Sequence, residues 1–243
     1  MLPLHWFLIS PCGLCGEPLQ GSAAAGRAGA CGACRERLGL QAGGLHGDDP
    51  LPWWSTGVYE GSLRELLLQL RRRPRPETVH ALTGGLAATL RAGGHGWGQP
   101  LLVPIPSWKR QANPLPGLLC GALERPGGLR RAELLERSRP VLGQHHLGRE
   151  LRIANQAGAF SCRRPPGVGE RVRRPLLIVD DILTTGATAC SAAACLEAAG
   201  WRVMGVLCLG RTPLPAGRDL RSTNRSARAA LPGRDSSVGR AGD

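Results

Sequence analysis

Apolar residues along this chain fall into short blocks separated by Gly- and Pro-rich breaks, and the spacing within each block predicts its element. Leu176-Leu177-Ile178-Val179 has no polar alternation. That pattern marks a strand covered on both faces, and such strands belong to parallel sheets flanked by helices. The block runs into Asp180-Asp181; Thr184-Thr185-Gly186 then makes a tight turn, and Ala187 to Ala199 predicts an alanine-rich helix ended by Gly200. Trp201 to Leu209 supplies the next strand. Strand, turn, helix and strand form a βαβ unit in an α/β fold, whose binding site is expected at the carboxyl end of the first strand.

Earlier blocks are shorter. Leu63, Leu66, Leu67 and Leu70 share one helical face, and the run Arg71-Arg72-Arg73-Pro74-Arg75-Pro76 stops that helix. A second helical pattern covers Val79 to Leu90, and Leu101 to Pro106 reads as a buried strand leading into a loop with Ser107, Trp108, Lys109 and Arg110. Leu115 to Leu142 predicts a helix interrupted at Pro116 and Pro126-Gly127-Gly128, and Leu147 to Ala159 predicts another before a basic connector from Arg163 to Arg174. Gln41 to Thr56, rich in Gly, Asp and Pro, reads as a linker. From Ala216 onward large apolar groups are scarce, so a disordered tail without assigned function is expected.

The N-terminal segment has a different logic. Cys12-Gly13-Leu14-Cys15 and Cys31-Gly32-Ala33-Cys34 repeat a Cys-x-x-Cys spacing in a stretch too short for its own core. Four thiolates on Zn²⁺ would supply the stability that burial cannot. Cys120, Cys162, Cys190, Cys195 and Cys208 read instead as small buried residues. The expected organisation is a zinc module over 1–45, a linker and hood helix over 46–76, an α/β domain over 77–215 and the tail over 216–243.

Charge narrows the partners. Basic residues number 31 against 18 acidic, a formal charge of +13, which favours phosphorylated or polyanionic ligands. Only Lys109 among the basic residues is a lysine, so part of the arginine is compositional background. No apolar run approaches the roughly 18 to 20 residues of a membrane span. Met1 to Ser10 lacks a basic n-region, so a cytoplasmic protein without membrane insertion is expected.

Two carboxylates beside a threonine and glycine turn combine opposite electrostatics in a small space. Backbone N–H groups, hydroxyls and the positive helix end suit a phosphate; the carboxylates suit hydroxyls or a metal. A ligand with both a phosphate and a vicinal diol, such as ribose 5-phosphate, satisfies the two halves together. The competing reading is an acidic pair that merely caps a helix.

The string Ile178-Val179-Asp180-Asp181-Ile182-Leu183-Thr184-Thr185-Gly186-Ala187-Thr188 resembles the phosphoribosyl pyrophosphate (PRPP) motif of type I phosphoribosyltransferases. The four cysteines, Val103-Pro104-Ile105-Pro106, the spaced set Arg137, Arg139, Gln144, Leu147, Arg152, Asn155, Ala159 and Phe160, and Leu209-Gly210-Arg211-Thr212 are together similar to the ComF family. That resemblance implies a zinc ribbon joined to a phosphoribosyltransferase-like fold and a role in DNA uptake during natural transformation. It further implies that Asp180 and Asp181 hold the ribose hydroxyls as the catalytic pair, that Thr184, Thr185, Gly186, Ala187 and Thr188 wrap the 5-phosphate, and that Mg²⁺ joins ribose to pyrophosphate. Lys109 and Arg110 are the candidates for pyrophosphate, although Lys109-Arg110-Gln111-Ala112-Asn113-Pro114 departs from the family's usual basic segment there. Two function classes follow: a phosphoribosyltransferase with an unidentified acceptor, or a non-catalytic single-stranded DNA-binding protein whose pocket senses a nucleotide or PRPP and which works with the DNA-uptake machinery.

Overall fold

The computed structural model describes residues 11–19, 29–92, 100–107, 113–138, 158–163, 174–213 and 221–222. Its elements are α1 (Gly32–Arg37), β1 (Leu45–Gly47), β2 (Trp53–Val58), α2 (Gly61–Arg72), α3 (Pro76–Ala92), β3 (Leu101–Pro104), α4 (Leu115–Gly127), β4 (Arg130–Arg131), β5 (Leu135–Arg137), β6 (Phe160–Cys162), β7 (Leu176–Val179), β8 (Ile182–Leu183), α5 (Ala187–Ala198), β9 (Val203–Arg211) and β10 (Arg221–Ser222).

The apolar block of β7 sits mid-sheet, as its lack of alternation predicts. The order is β10-β1-β2-β9-β7-β3-β4, with β8 beside β9. Pairings from β2 through β9, β7 and β3 to β4 are parallel; β1 joins β2 and β10 antiparallel. Every residue of β7 is 0% exposed, so both its faces are covered. Leu177 and Val179 pack with Leu63, Leu67 and Leu70 of α2 and with α3 and α4, whereas Leu176 and Ile178 pack with α5 and Phe160 of β6. Each such fully buried aliphatic side chain contributes about 1.5–3 kcal/mol through burial. The result is a mostly parallel sheet flanked by helices, with the strand ends of β2, β3, β7 and β9 brought to one edge.

Several expectations change. The stretch from Gln41 to Thr56, read as a linker, instead holds β1 and most of β2. Trp53 is 0% exposed and β2 pairs along β9, so burial of these aromatic and β-branched residues outweighs the flanking Gly and Pro. After α4 the chain does not resume a helix but forms β4 and β5, because Gly128 turns left-handed (φ 63°) and ends it. Within the tail, Arg221 and Ser222 pair with His46 and Leu45, so these two residues form a strand. The predicted helix from Leu147 lies outside the described residues except at its last positions.

Candidate functional site

The four cysteines converge. Cys12 and Cys15 lie on a turn closed by Cys12 N–H to Glu17 O (2.7 Å) and Gly16 N–H to Cys12 O (2.8 Å), while Cys31 precedes α1 and Cys34 lies within it. Their sulfurs all lie within 4.8 Å of one another, and Cys15 and Cys31 Sγ are 3.7 Å apart. Tetrahedral thiolates at about 2.3 Å from Zn²⁺ are separated by about 3.8 Å, so the cluster could hold a zinc ion. Cys12 accepts N–H groups from Cys31 (3.3 Å) and Leu14 (3.4 Å). Burial works against its thiolate, but these backbone donors prevail and bring its pKa down to about 6. Burial and the neighbouring thiols push Cys34 up to about 12, so a cation is what would let all four ligate together. Thr78 of α3 donates to Gly13 O (3.1 Å), and Leu38 joins the core beneath α2 and α3, which seats this module on the sheet domain.

The second site is a cleft of about 570 Å³ at the carboxyl end of β7. Register builds its floor: Ile105 N–H bonds Val179 O (2.8 Å) and Asp180 N–H bonds Leu207 O (2.9 Å), so the chain leaves β7 level with its neighbours. Asp180, Asp181, Thr184 and Thr188 all line the cleft, together with Tyr59, Arg64, Arg71 and Arg137. Thr185 is half-buried and its hydroxyl accepts the Ala187 N–H (3.4 Å). Gly186 and Ala187 are buried behind the lining residues, Gly186 with φ 80° as the residue that opens α5. A Cβ at Gly186 would stand 2.3 Å from Pro50 Cγ, so only glycine suits this turn. Lys109 and Arg110 lie outside the described residues, as do Arg139, Gln144, Leu147, Arg152 and Asn155.

The two carboxylates differ. Asp181 is 2% exposed and takes Arg71 in two-point contact, Nε to Oδ2 at 2.5 Å and Nη2 to Oδ1 at 3.0 Å. Burial opposes the Arg71 charge, yet Asp181 outweighs it and raises the guanidinium pKa above its ordinary value. Asp180 is half-buried, and one of its oxygens accepts the Asp181 N–H (2.8 Å). Burial, then the Asp181 charge, pushes the Asp180 carboxyl well above the ordinary carboxylate range. An acid held this way gains strongly from an added cation. Arg137 donates to Pro106 O (3.1 Å) and lies 4.5 Å from the centroid of Phe160; burial lowers its pKa, offset in part by Asp180.

Arg211, 3% exposed, ties the turn down from beneath. It donates to the carbonyls of Leu183 (3.0 Å) and Thr184, and to Asp49 O (3.5 Å), over the face of Trp53. Sequence reasoning assigned no role to Arg71, Arg137 or Arg211. For Arg71 a signal existed: it follows Leu63, Leu67 and Leu70 by eight, four and one residues, which continues the buried stripe past the last leucine.

No family model matches the chain. It is 31% identical to the DNA utilization protein YhgH of Salmonella typhi over 228 residues, which cover 86% of this chain and 92% of that protein. It is 30% identical to the protein of the same name from Escherichia coli K12 over 174 residues, 67% of this chain and 74% of the other.

Proposed function

Because the chain belongs to the family of the DNA utilization protein YhgH, we propose that its strand-end cleft binds PRPP or a related ribose phosphate and that this binding serves DNA uptake or utilization, as the ComF resemblance implies. One observation carries the reading: the acidic corner at Asp180 and Asp181 lines a single cleft with Thr184 and Thr188. The 5-phosphate meets the threonines and the amino end of α5. The ribose diol meets the acidic corner on its Asp180 side. Asp180 is the residue that would hold Mg²⁺, whose charge would offset that of the pyrophosphate when bound. The chain's own contribution is positional: the buried sheet fixes the acids and Arg211 fixes the turn. Zinc would occupy Cys12, Cys15, Cys31 and Cys34 as a structural ion. Among the described residues no helix is long and apolar enough to cross a membrane.

A second reading, single-stranded DNA binding without turnover, draws on the exposed Arg72, Arg73 and Arg75 beside the cleft together with the relatives' name. Calorimetric titration of zinc-replete protein with PRPP and Mg²⁺ tests the first reading. Binding should occur and fall at least about 10-fold in Asp180→Ala, the loss of one charge-assisted contact. Absence of any heat, with salt-dependent DNA binding that survives Asp180→Ala, would favour the second. Pyrophosphate release with a panel of amine and base acceptors would separate a transferase from a sensor.

A further inference from the structure

The adjacent carboxylates are chemically divided. Arg71 spends Nε and one Nη on the two oxygens of Asp181, whose side chain is 3% exposed, so that carboxylate is engaged on its open side. Arg71 itself is 36% exposed in its side chain and lines the cleft. A guanidinium has five N–H groups, and a side-on pair uses two of them. The others remain for the cleft. Arg71 stands on the last turn of α2, whose Leu67 and Leu70 are 0% exposed, so its backbone is fixed by the core. The arrangement is an anion-binding group locked in place by a buried carboxylate.

We propose that Arg71 is an anion-binding residue of the cleft and that Asp181 is its positioning residue, leaving Asp180 alone to meet the sugar hydroxyls. The anion is the diphosphate at C1 of a phosphorylated ribose, because on that reading the 5-phosphate is already met by the threonine turn. This inference rests on the ribose-phosphate reading and assigns to α2 a contact that neither motif spacing nor family likeness attributes to it. It also reverses the expected role of Asp181.

The test compares two ligands that differ only in that group, PRPP and ribose 5-phosphate, each titrated with Mg²⁺ into the full chain. Arg71→Gln should weaken PRPP by about 10- to 100-fold, the range for a charge-assisted pair, and leave ribose 5-phosphate within about 2-fold. Arg71→Lys, which keeps the charge but not the two-point geometry, should fall between. Asp181→Asn should copy the Arg71→Gln pattern, and the double variant should be no worse than either single, since the two residues act as one unit. Equal weakening of both ligands by Asp181→Asn would show a carboxylate on the diol and overturn the inference alone. Wild-type protein that binds neither ligand would overturn the reading of the cleft and the inference with it. Should Asp181→Asn fail to fold, the two Arg71 variants decide the matter by themselves.

Discussion

The cysteine module and the strand-end cleft are held by opposite means. Of the described residues from 11 to 38, only Cys12, Cys34 and Leu38 are buried apolar groups, so the module has little apolar burial of its own and rests on the main core through Leu14 and Leu38. The cleft stands on strands whose central residues, from Leu102 and Val103 through Leu176–Val179 to Val206–Leu209, are 0% exposed. One region takes its order from ligation and the other from burial. Damage to either should therefore have a different reach: local where a metal supplies the stability, global where the core does.

The largest effect is expected from the module. Cys12→Ser or Cys34→Ser should abolish stoichiometric zinc, measured by elemental analysis, and open residues 11–38 to limited proteolysis. Structural zinc sites carry apparent binding free energies of about 10–16 kcal/mol, far beyond what so short a segment can replace. Retention of PRPP binding by the metal-free variant would sharpen the comparison; loss of the whole fold would break it. Next is Gly186→Ala, where the left-handed backbone costs about 1–2 kcal/mol and the new methyl meets Pro50. Zinc content should be unchanged while ribose-phosphate affinity drops about 10-fold or more.

The smallest effect is a slope. Asp180 has a folded-state pKa raised above its ordinary value of 3.8. Its protonated form is favoured in the fold, so its contribution is fully present below the unfolded pKa and is lost as pH rises through the folded one. Urea midpoints of wild type should therefore fall relative to Asp180→Asn as pH increases from about 4 toward neutrality. Taking the difference between the two proteins removes the pH dependence of the thiols. A constant difference across that range would mean that Asp180 is as well solvated as a surface acid.

Much of the cleft was legible because its signal is contiguous. Leu176 to Val179, the acidic pair and the turn that opens α5 are neighbours in sequence, and their local preferences agree with the final fold. The four cysteines were legible for the same reason, as two short spacings. What could not be read is set by long-range packing. Trp53–Val58 forms an interior strand because β9 lies alongside, and the Pro and Gly around it read locally as a linker. Arg71 reaches Asp181 across 110 positions, and nothing local separates it from Arg72 and Arg73 except its place on a leucine stripe. Arg211 was visible only within the string Leu209-Gly210-Arg211-Thr212, since its partners are carbonyls, which carry no sequence identity.

The short turn between β1 and β2 has a practical consequence. It is an exposed loop tip at Pro50 and Pro52, the kind of place where affinity tags, domain insertions and permuted termini are usually introduced. Yet Pro50 is the wall behind Gly186, and the carbonyl of Asp49 receives Arg211. A peptide spliced in there would leave the sheet standing and deform the threonine loop from behind. Engineered versions of this protein should carry their fusions elsewhere.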